Sequence, residues 1–133
     1  MMQNIDATAW TSLLLGLFLL GSAIGELRRP GLWRGMLLEV EQSSALQLTL
    51  GIIELALGAA VYLANPWNPQ DWLAAFMTII GGLMIIEAVI FLAIADLYLR
   101  FWLPRIGTNW RGWAVVSFLI GLWLALAGLH RFI

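Results

Sequence analysis

Cysteine and lysine are both absent from this chain of 133 residues, and charged residues make up only 11% of it. The absence of cysteine excludes disulfides, thiol catalysis and cysteine-ligated metal sites. Soluble domains carry about 25% charged residues, so this chain has less than half of the charge that a water-exposed surface usually carries. The net charge is −1 and no basic cluster is present, which argues against binding to nucleic acid.

Hydrophobic residues make up 62% of the chain and are concentrated in four runs, at 7–27, 45–64, 72–95 and 112–129. Each run is near the length of about 20 residues that a helix needs to cross a hydrocarbon core. None of them alternates polar and apolar residues as a membrane barrel strand does. The sequence therefore predicts an all-α membrane protein, with four transmembrane helices in a single domain that covers residues 1–133 and contacts lipid.

The connections after the first and third runs also have helical features. Apolar residues between Leu32 and Val40 recur on one helical face, which predicts a short helix lying in the membrane interface. After the third run, the same helix is expected to continue to Trp102 and to end before Pro104, because proline interrupts a helix.

The arginines predict an orientation. Three lie in the first connection, three lie in the third, and the second connection has none. The positive-inside rule then places the first and third connections, with their short helices, in the cytoplasm and both termini outside. Arg131 is the single exception. Tryptophans near the ends of the runs are expected to anchor the helices at the headgroups: Trp33, Trp67, Trp72, Trp102, Trp110 and Trp113.

Similar segments predict an internal repeat of two hairpins, residues 1–65 and 66–133. The run that begins at Gly16 resembles the run that begins at Gly82, and residues 51–58 resemble residues 121–128. Two such halves with the same course through the membrane are related by an axis along the membrane normal. In this alignment the acidic residues have no acidic equivalents, because Glu54 aligns with Leu124 and Glu87 with Gly21.

Small residues at helical spacing predict where the spans pack. Small side chains let membrane helices approach closely, and the pattern places the second and fourth spans in contact. The residues assigned to helix packing are Gly21, Gly25, Gly51, Gly58, Gly121, Ala125 and Gly128.

Glu54 and Glu87 are the candidate functional residues, because each lies inside a predicted membrane span. An ionisable residue at this depth is costly and usually marks an ion or proton pathway, or a contact with a partner. The structural alternative is a protonated carboxyl that hydrogen-bonds between helices. The helical faces leave open whether the two residues share one site.

Residues 51–58, with Glu54 at their centre, follow a first span that ends near Gly25 and Pro30. This first half resembles DoxX-like membrane proteins, which are four-helix bacterial proteins, some of them associated with quinone-linked oxidoreductases. The whole chain also resembles small bacterial four-helix inner-membrane proteins. The resemblance implies a location in the bacterial cytoplasmic membrane, and it carries over no catalytic residue.

These observations favour a non-enzymatic membrane subunit that packs in a larger assembly or a homo-oligomer. No nucleophilic triad, phosphate-binding loop or metal-ligand set is visible, and the single histidine, His130, has no second ligand near it in sequence. One alternative is a minimal transporter or ion pathway for protons or cations, using Glu54 and Glu87. Another is an accessory subunit of a respiratory or photosynthetic complex, associated with quinone or heme.

Overall fold

The computed structural model describes residues 6–65 and 67–132, and these residues form six helices without a strand. Four helices are long and apolar enough to cross a membrane, which confirms the predicted spans. The bounds are α1 Ala7–Arg28, α2 Leu32–Glu41, α3 Ser44–Ala64, α4 Trp72–Ala93, α5 Ala95–Thr108 and α6 Trp110–His130.

Three of the long helices begin at a side-chain cap. Asp6, Ser43 and Asp71 each accept a hydrogen bond from a backbone N–H in the first turn of α1, α3 and α4. Such a cap satisfies a backbone donor that has no partner within the helix. The caps explain why these helices start where they do.

The two short helices pack against each other at one end of the molecule, called here the α2–α5 end. Helix α2 confirms the predicted short helix. The expectation that the third span runs on to Trp102 is wrong, because the chain turns at Ile94 and α5 starts anew. This turn lets Leu99 pack against Phe91 and Val40. Pro104 lies inside α5 rather than beyond its end.

The four long helices form two tightly packed pairs, α1 with α6 and α3 with α4. The expected contact between the second and fourth spans, α3 and α6, is wrong, because their small-residue faces pack against α4 and α1 instead. A sequence pattern marks which face of a helix permits close approach, but it does not identify the partner.

Helices α1 and α6 cross at Gly16. A methyl group at this position would overlap the backbone of Gly121 and Ala125, so only glycine permits the observed approach. One turn from this crossing, the buried Ser12 hydroxyl donates a hydrogen bond of 2.7 Å to the carbonyl oxygen of Leu124.

Helices α3 and α4 cross in an equivalent way at Gly81. A methyl group there would overlap the backbone of Gly58 and Tyr62. The Thr78 hydroxyl donates a hydrogen bond of 2.6 Å to the carbonyl oxygen of Asn65, which joins α4 to the end of α3.

The equivalent crossings give a register between the two halves. Gly81 follows Gly16 by 65 positions, and it contacts the backbone of α3 as Gly16 contacts the backbone of α6. Gly121 follows Gly58 by 63 positions, and each of these two glycines contacts the crossing glycine of its partner helix. The capping residues Asp6 and Asp71 are likewise 65 positions apart. The division into hairpins at residue 65 stays a prediction, and each proposed hairpin packs mainly against the other.

The predicted alignment of the halves differs from this register. The predicted alignment matched Gly16 with Gly82, one residue away from Gly81, and it matched Gly121 with Gly51, seven residues away from Gly58. A shift of seven residues is almost two helical turns and keeps the same face, so similar glycine spacings allowed the wrong match. In the register of the contacts, Glu87 is equivalent to Ser22 and Glu54 to Ser117.

Most of the predicted packing residues lie at these crossings. Buried positions in the two pairs include Gly51, Gly58, Gly121, Ala125 and Gly128. Gly21 and Gly25 are the two exceptions. Gly21 is exposed and has no other atom within 4 Å of where a side chain would begin. Gly25 approaches only a side-chain atom of Leu32. Neither therefore supports helix crossing within the chain, and Gly16 and Gly81, which do, are not among the residues assigned to helix packing.

The other end of the molecule, called here the Arg131 end, is joined by a three-residue ion cluster. The Arg131 guanidinium lies 3.0 Å from a carboxylate oxygen of Asp6 and 2.7 Å from one of Asp71. These carboxylates are the caps of α1 and α4, so one side chain at the end of α6 joins both helix pairs. Arg131 is the one arginine that does not follow the predicted orientation, and in this cluster its charge is paired with two carboxylates.

Candidate functional site

The packing of α3 against α4 brings Glu54 and Glu87 together. The two carboxyl groups come within hydrogen-bonding reach of each other. Glu54 is half-buried between the helices, whereas Glu87 is exposed in the isolated chain. The question left open by the helical faces is thus answered in favour of one shared site.

Tyr98 is the third member of this site and comes from α5. Its pKa lies well above the usual value, first because the phenol is buried and then because the charges of Glu87 and Glu54 disfavour a phenolate. The hydroxyl therefore stays protonated and can donate a hydrogen bond to the Glu87 carboxyl. Sequence reasoning missed Tyr98, since only the turn at Ile94 carries it back over α4.

Glu87 and Tyr98 line a cavity of about 470 Å³ that opens at the α2–α5 end. Every helix except α3 contributes to its wall, and aromatic side chains form much of the surface. The lining residues are Leu19, Ser22, Trp33, Met36, Leu37, Glu87, Tyr98, Trp102, Ile106, Trp113 and Ser117.

Trp33 is held in the cavity wall by two polar contacts. Its indole N–H donates to the carbonyl oxygen of Ser22 at 3.2 Å, and its backbone N–H donates to the Glu26 carboxylate at 2.9 Å. Glu26 is fully buried and also accepts from the backbone N–H of Gly31. A carboxylate at this place stabilises the start of α2, so the wall is fixed from within.

A chain of aromatic contacts forms another part of the wall. The rings of Tyr98 and Trp102 have centroids 6.3 Å apart, and those of Trp102 and Trp113 are 5.1 Å apart in an edge-to-face arrangement. Phe91 packs edge-to-face on the other side of Tyr98 at 5.2 Å. Edge-to-face pairs of this kind stabilise a fixed ring orientation.

The six tryptophans assigned as membrane anchors therefore fall into two groups. Trp33, Trp102 and Trp113 face the cavity, whereas Trp67 and Trp72 are exposed at the Arg131 end. Trp110 lies at the start of α6 with the Arg111 guanidinium 5.4 Å from its ring centroid. The anchoring role stays a prediction for all six.

A larger depression of about 820 Å³ lies at the Arg131 end, between α4 and α6. Its walls include Trp72 and Trp123, whose ring centroids are 5.5 Å apart, and His130. The charges there, Asp71 and Arg131, are already paired with each other. The smaller cavity is the better candidate site because its carboxyl has no cationic partner among the residues that line it.

Comparison with family models, with curated proteins and with solved structures gives no match for this chain. The likeness to DoxX-like proteins therefore stays a resemblance of residues.

Proposed function

We propose that this chain is an integral membrane protein that passes protons or monovalent cations through the Glu54–Glu87 pair. The observation that carries the proposal is the contact between these two carboxyl groups on adjacent apolar helices, one of them at a cavity wall. A single charge at the centre of a membrane helix costs about 2.5–3.5 kcal/mol on insertion scales. Two carboxylates in contact cost more unless a proton or a cation lies between them.

The exposure of Glu87 favours exchange over a purely structural role. A carboxyl that only joins helices is best enclosed, because water competes for its hydrogen bond. Glu87 instead reaches an open cavity, and its neighbour Glu54 lies deeper between the helices. A proton or cation arriving through the cavity meets Glu87 first and then Glu54.

The test is flux through purified protein in liposomes, with Glu54→Gln and Glu87→Gln compared against Glu41→Gln, an exposed acid at the end of α2. Glutamine keeps the shape and removes the titrating group, so we expect flux to fall by about tenfold or more in the first two variants. Flux in Glu41→Gln should stay near that of the unsubstituted protein. Equal flux in all four proteins would contradict the proposal.

The second candidate is the membrane-assembly subunit, and the unpacked face at Gly21 favours it. Glycine exposed on a span provides a place for close approach by a helix of another chain or of a second copy. Replacing Gly21 with leucine would then dissociate the complex in mild detergent while leaving the fold of the chain unchanged. A complex of unchanged size would count against this candidate.

A further inference from the structure

The cavity at the α2–α5 end has the size of a ligand site. Its volume of about 470 Å³ falls within the range of roughly 300–1,000 Å³ that small-molecule pockets span. Both halves of the chain line it, and equivalent positions face it together: Ser22 with Glu87, and Trp33 with Tyr98. The cavity is therefore a feature of the whole bundle and not a gap beside one helix.

The charge of the cavity has one sign. Among its lining residues, Glu87 is the single carboxyl and none is an arginine or histidine. Arg34 on the neighbouring α2 lines a separate groove, beside Gly107 of α5. Behind Glu87 stands a second carboxyl, Glu54, so the groups that face this position are two acids and the neutral Tyr98 hydroxyl.

The aromatic walls, like the Glu87 carboxyl, favour a positively charged ligand. The faces of indole and phenol rings carry negative electrostatic potential and attract cations, and cages of such rings bind quaternary ammonium groups. Here Trp33, Tyr98, Trp102 and Trp113 line the same cavity as Glu87. A small hydrated metal ion would use the carboxyl but not the rings, whereas a cation with apolar substituents uses both.

We infer that this cavity binds an organic monocation with apolar substituents, of the quaternary ammonium or phosphonium class, with Glu87 as its counter-ion. The inference rests on the proposed function and names the class of cation that the site accepts. Glu54 and Glu87 together accommodate one positive charge, either a proton or the organic cation. Binding of the cation therefore releases one proton to solvent, which is the exchange that a proton-coupled carrier needs.

The first test uses two ions of the same shape and opposite charge. Purified protein in detergent is titrated by calorimetry with tetraphenylphosphonium and, separately, with tetraphenylborate. We expect saturable binding of the phosphonium that weakens as pH falls, with about one proton released per ion, and no saturable binding of the borate. Equal binding of both ions would overturn the inference, because apolar contact alone would then account for the binding. So would the absence of saturable phosphonium binding.

The second test uses variants with a matched control on one helix. Glu87→Gln should weaken phosphonium binding by about tenfold or more, and Trp113→Leu by about threefold to tenfold. Trp110→Leu, three residues earlier on α6 and outside the cavity wall, should bind as the unsubstituted protein does. Circular dichroism and gel filtration check that each variant keeps its helices and its size. Unchanged affinity in correctly folded Glu87→Gln would overturn the inference.

Two outcomes separate this inference from the proposed function. Proton flux that depends on Glu54 and Glu87, without phosphonium binding, would overturn the inference and leave the proposed function standing. Flux that is independent of both acids would overturn the proposed function even where phosphonium binds. A neutral quinone that binds in the cavity, with an affinity unaffected by Glu87→Gln, would overturn the inference in favour of a quinone site.

Discussion

The α1–α6 pair and the α3–α4 pair share one packing geometry but differ in chemistry at equivalent positions. Each pair crosses at a glycine that meets the partner backbone, Gly16 in one and Gly81 in the other. One pair carries the hydroxyls of Ser22 and Ser117 near the cavity, and the other carries the carboxyls of Glu87 and Glu54.

This difference separates the positions whose residue type is constrained by helix packing from those whose residue type is constrained by the cavity. The crossing positions have no space for a side chain, so both pairs need glycine there. The equivalent positions Ser22 and Glu87 both face the cavity, where a hydroxyl and a carboxyl are both accommodated. The two acids Glu54 and Glu87 are consequently confined to one of the two structurally equivalent pairs.

The largest expected effect comes from breaking the shared geometry. Gly16→Leu and Gly81→Leu both place a side chain into backbone, so we expect each to destabilise the fold by about 3 kcal/mol or more. Gly21→Leu has open space around it and should leave stability unchanged. Unfolding in detergent, followed by circular dichroism, measures all three. A tolerated leucine at either crossing would refute the equivalence of the pairs.

A smaller effect is expected from moving the carboxyl group from position 87 on α4 to the equivalent position 22 on α1. Glu87→Ser should lower phosphonium affinity by about tenfold or more, and adding Ser22→Glu should restore much of the loss, because both positions line the same cavity. Calorimetric titration of the single and double variants measures the recovery. Failure of the double variant to recover, in protein of unchanged helicity, would show that the carboxyl works only beside Glu54.

The smallest effect concerns the contact that joins the two pairs. Arg131→Ala removes a partly exposed ion cluster, so we expect a loss of about 1 kcal/mol or less. Hydrogen bonding to Arg131 lowers the pKa of Asp71 below its usual value of 3.8. This contribution is present above that value and is lost as pH falls through the lower, folded-state pKa. Unfolding free energies from pH 7 to pH 3 should fall less in Arg131→Ala, and parallel curves would contradict this.

Much of the fold could be read from composition and spacing. Four apolar runs predicted four spans to within two residues at nearly every end, and the apolar face from Leu32 to Val40 predicted α2. Both follow from local physics, because a helix in lipid must satisfy its own backbone and needs about 20 residues to cross. The turn at Ile94 was not predictable in this way, since it accompanies the contact of Leu99 with Val40, which are far apart in the sequence.

The candidate site was predicted only in part. Glu54 and Glu87 stood out because acids inside apolar runs are costly. Three contacts were not predictable from the sequence, because each depends on which helices pack together. They are the contact of Glu54 with Glu87, the position of Tyr98 beside Glu87, and the hydrogen bond from the Trp33 backbone to the buried Glu26. Trp33, Trp102 and Trp113 were assigned to the membrane interface, and their common cavity became apparent only in three dimensions.

By itself the sequence determined the number of spans and the presence of acids within apolar helices, because these depend on neighbours along the chain. Only the tertiary structure decided that α1 pairs with α6 and α3 with α4, and that Glu87 lines one cavity with four aromatic rings while Glu54 lies beside it on α3. The physical reason is that small-residue faces on several helices are alike, so the choice of partner is made by how all six helices fit together.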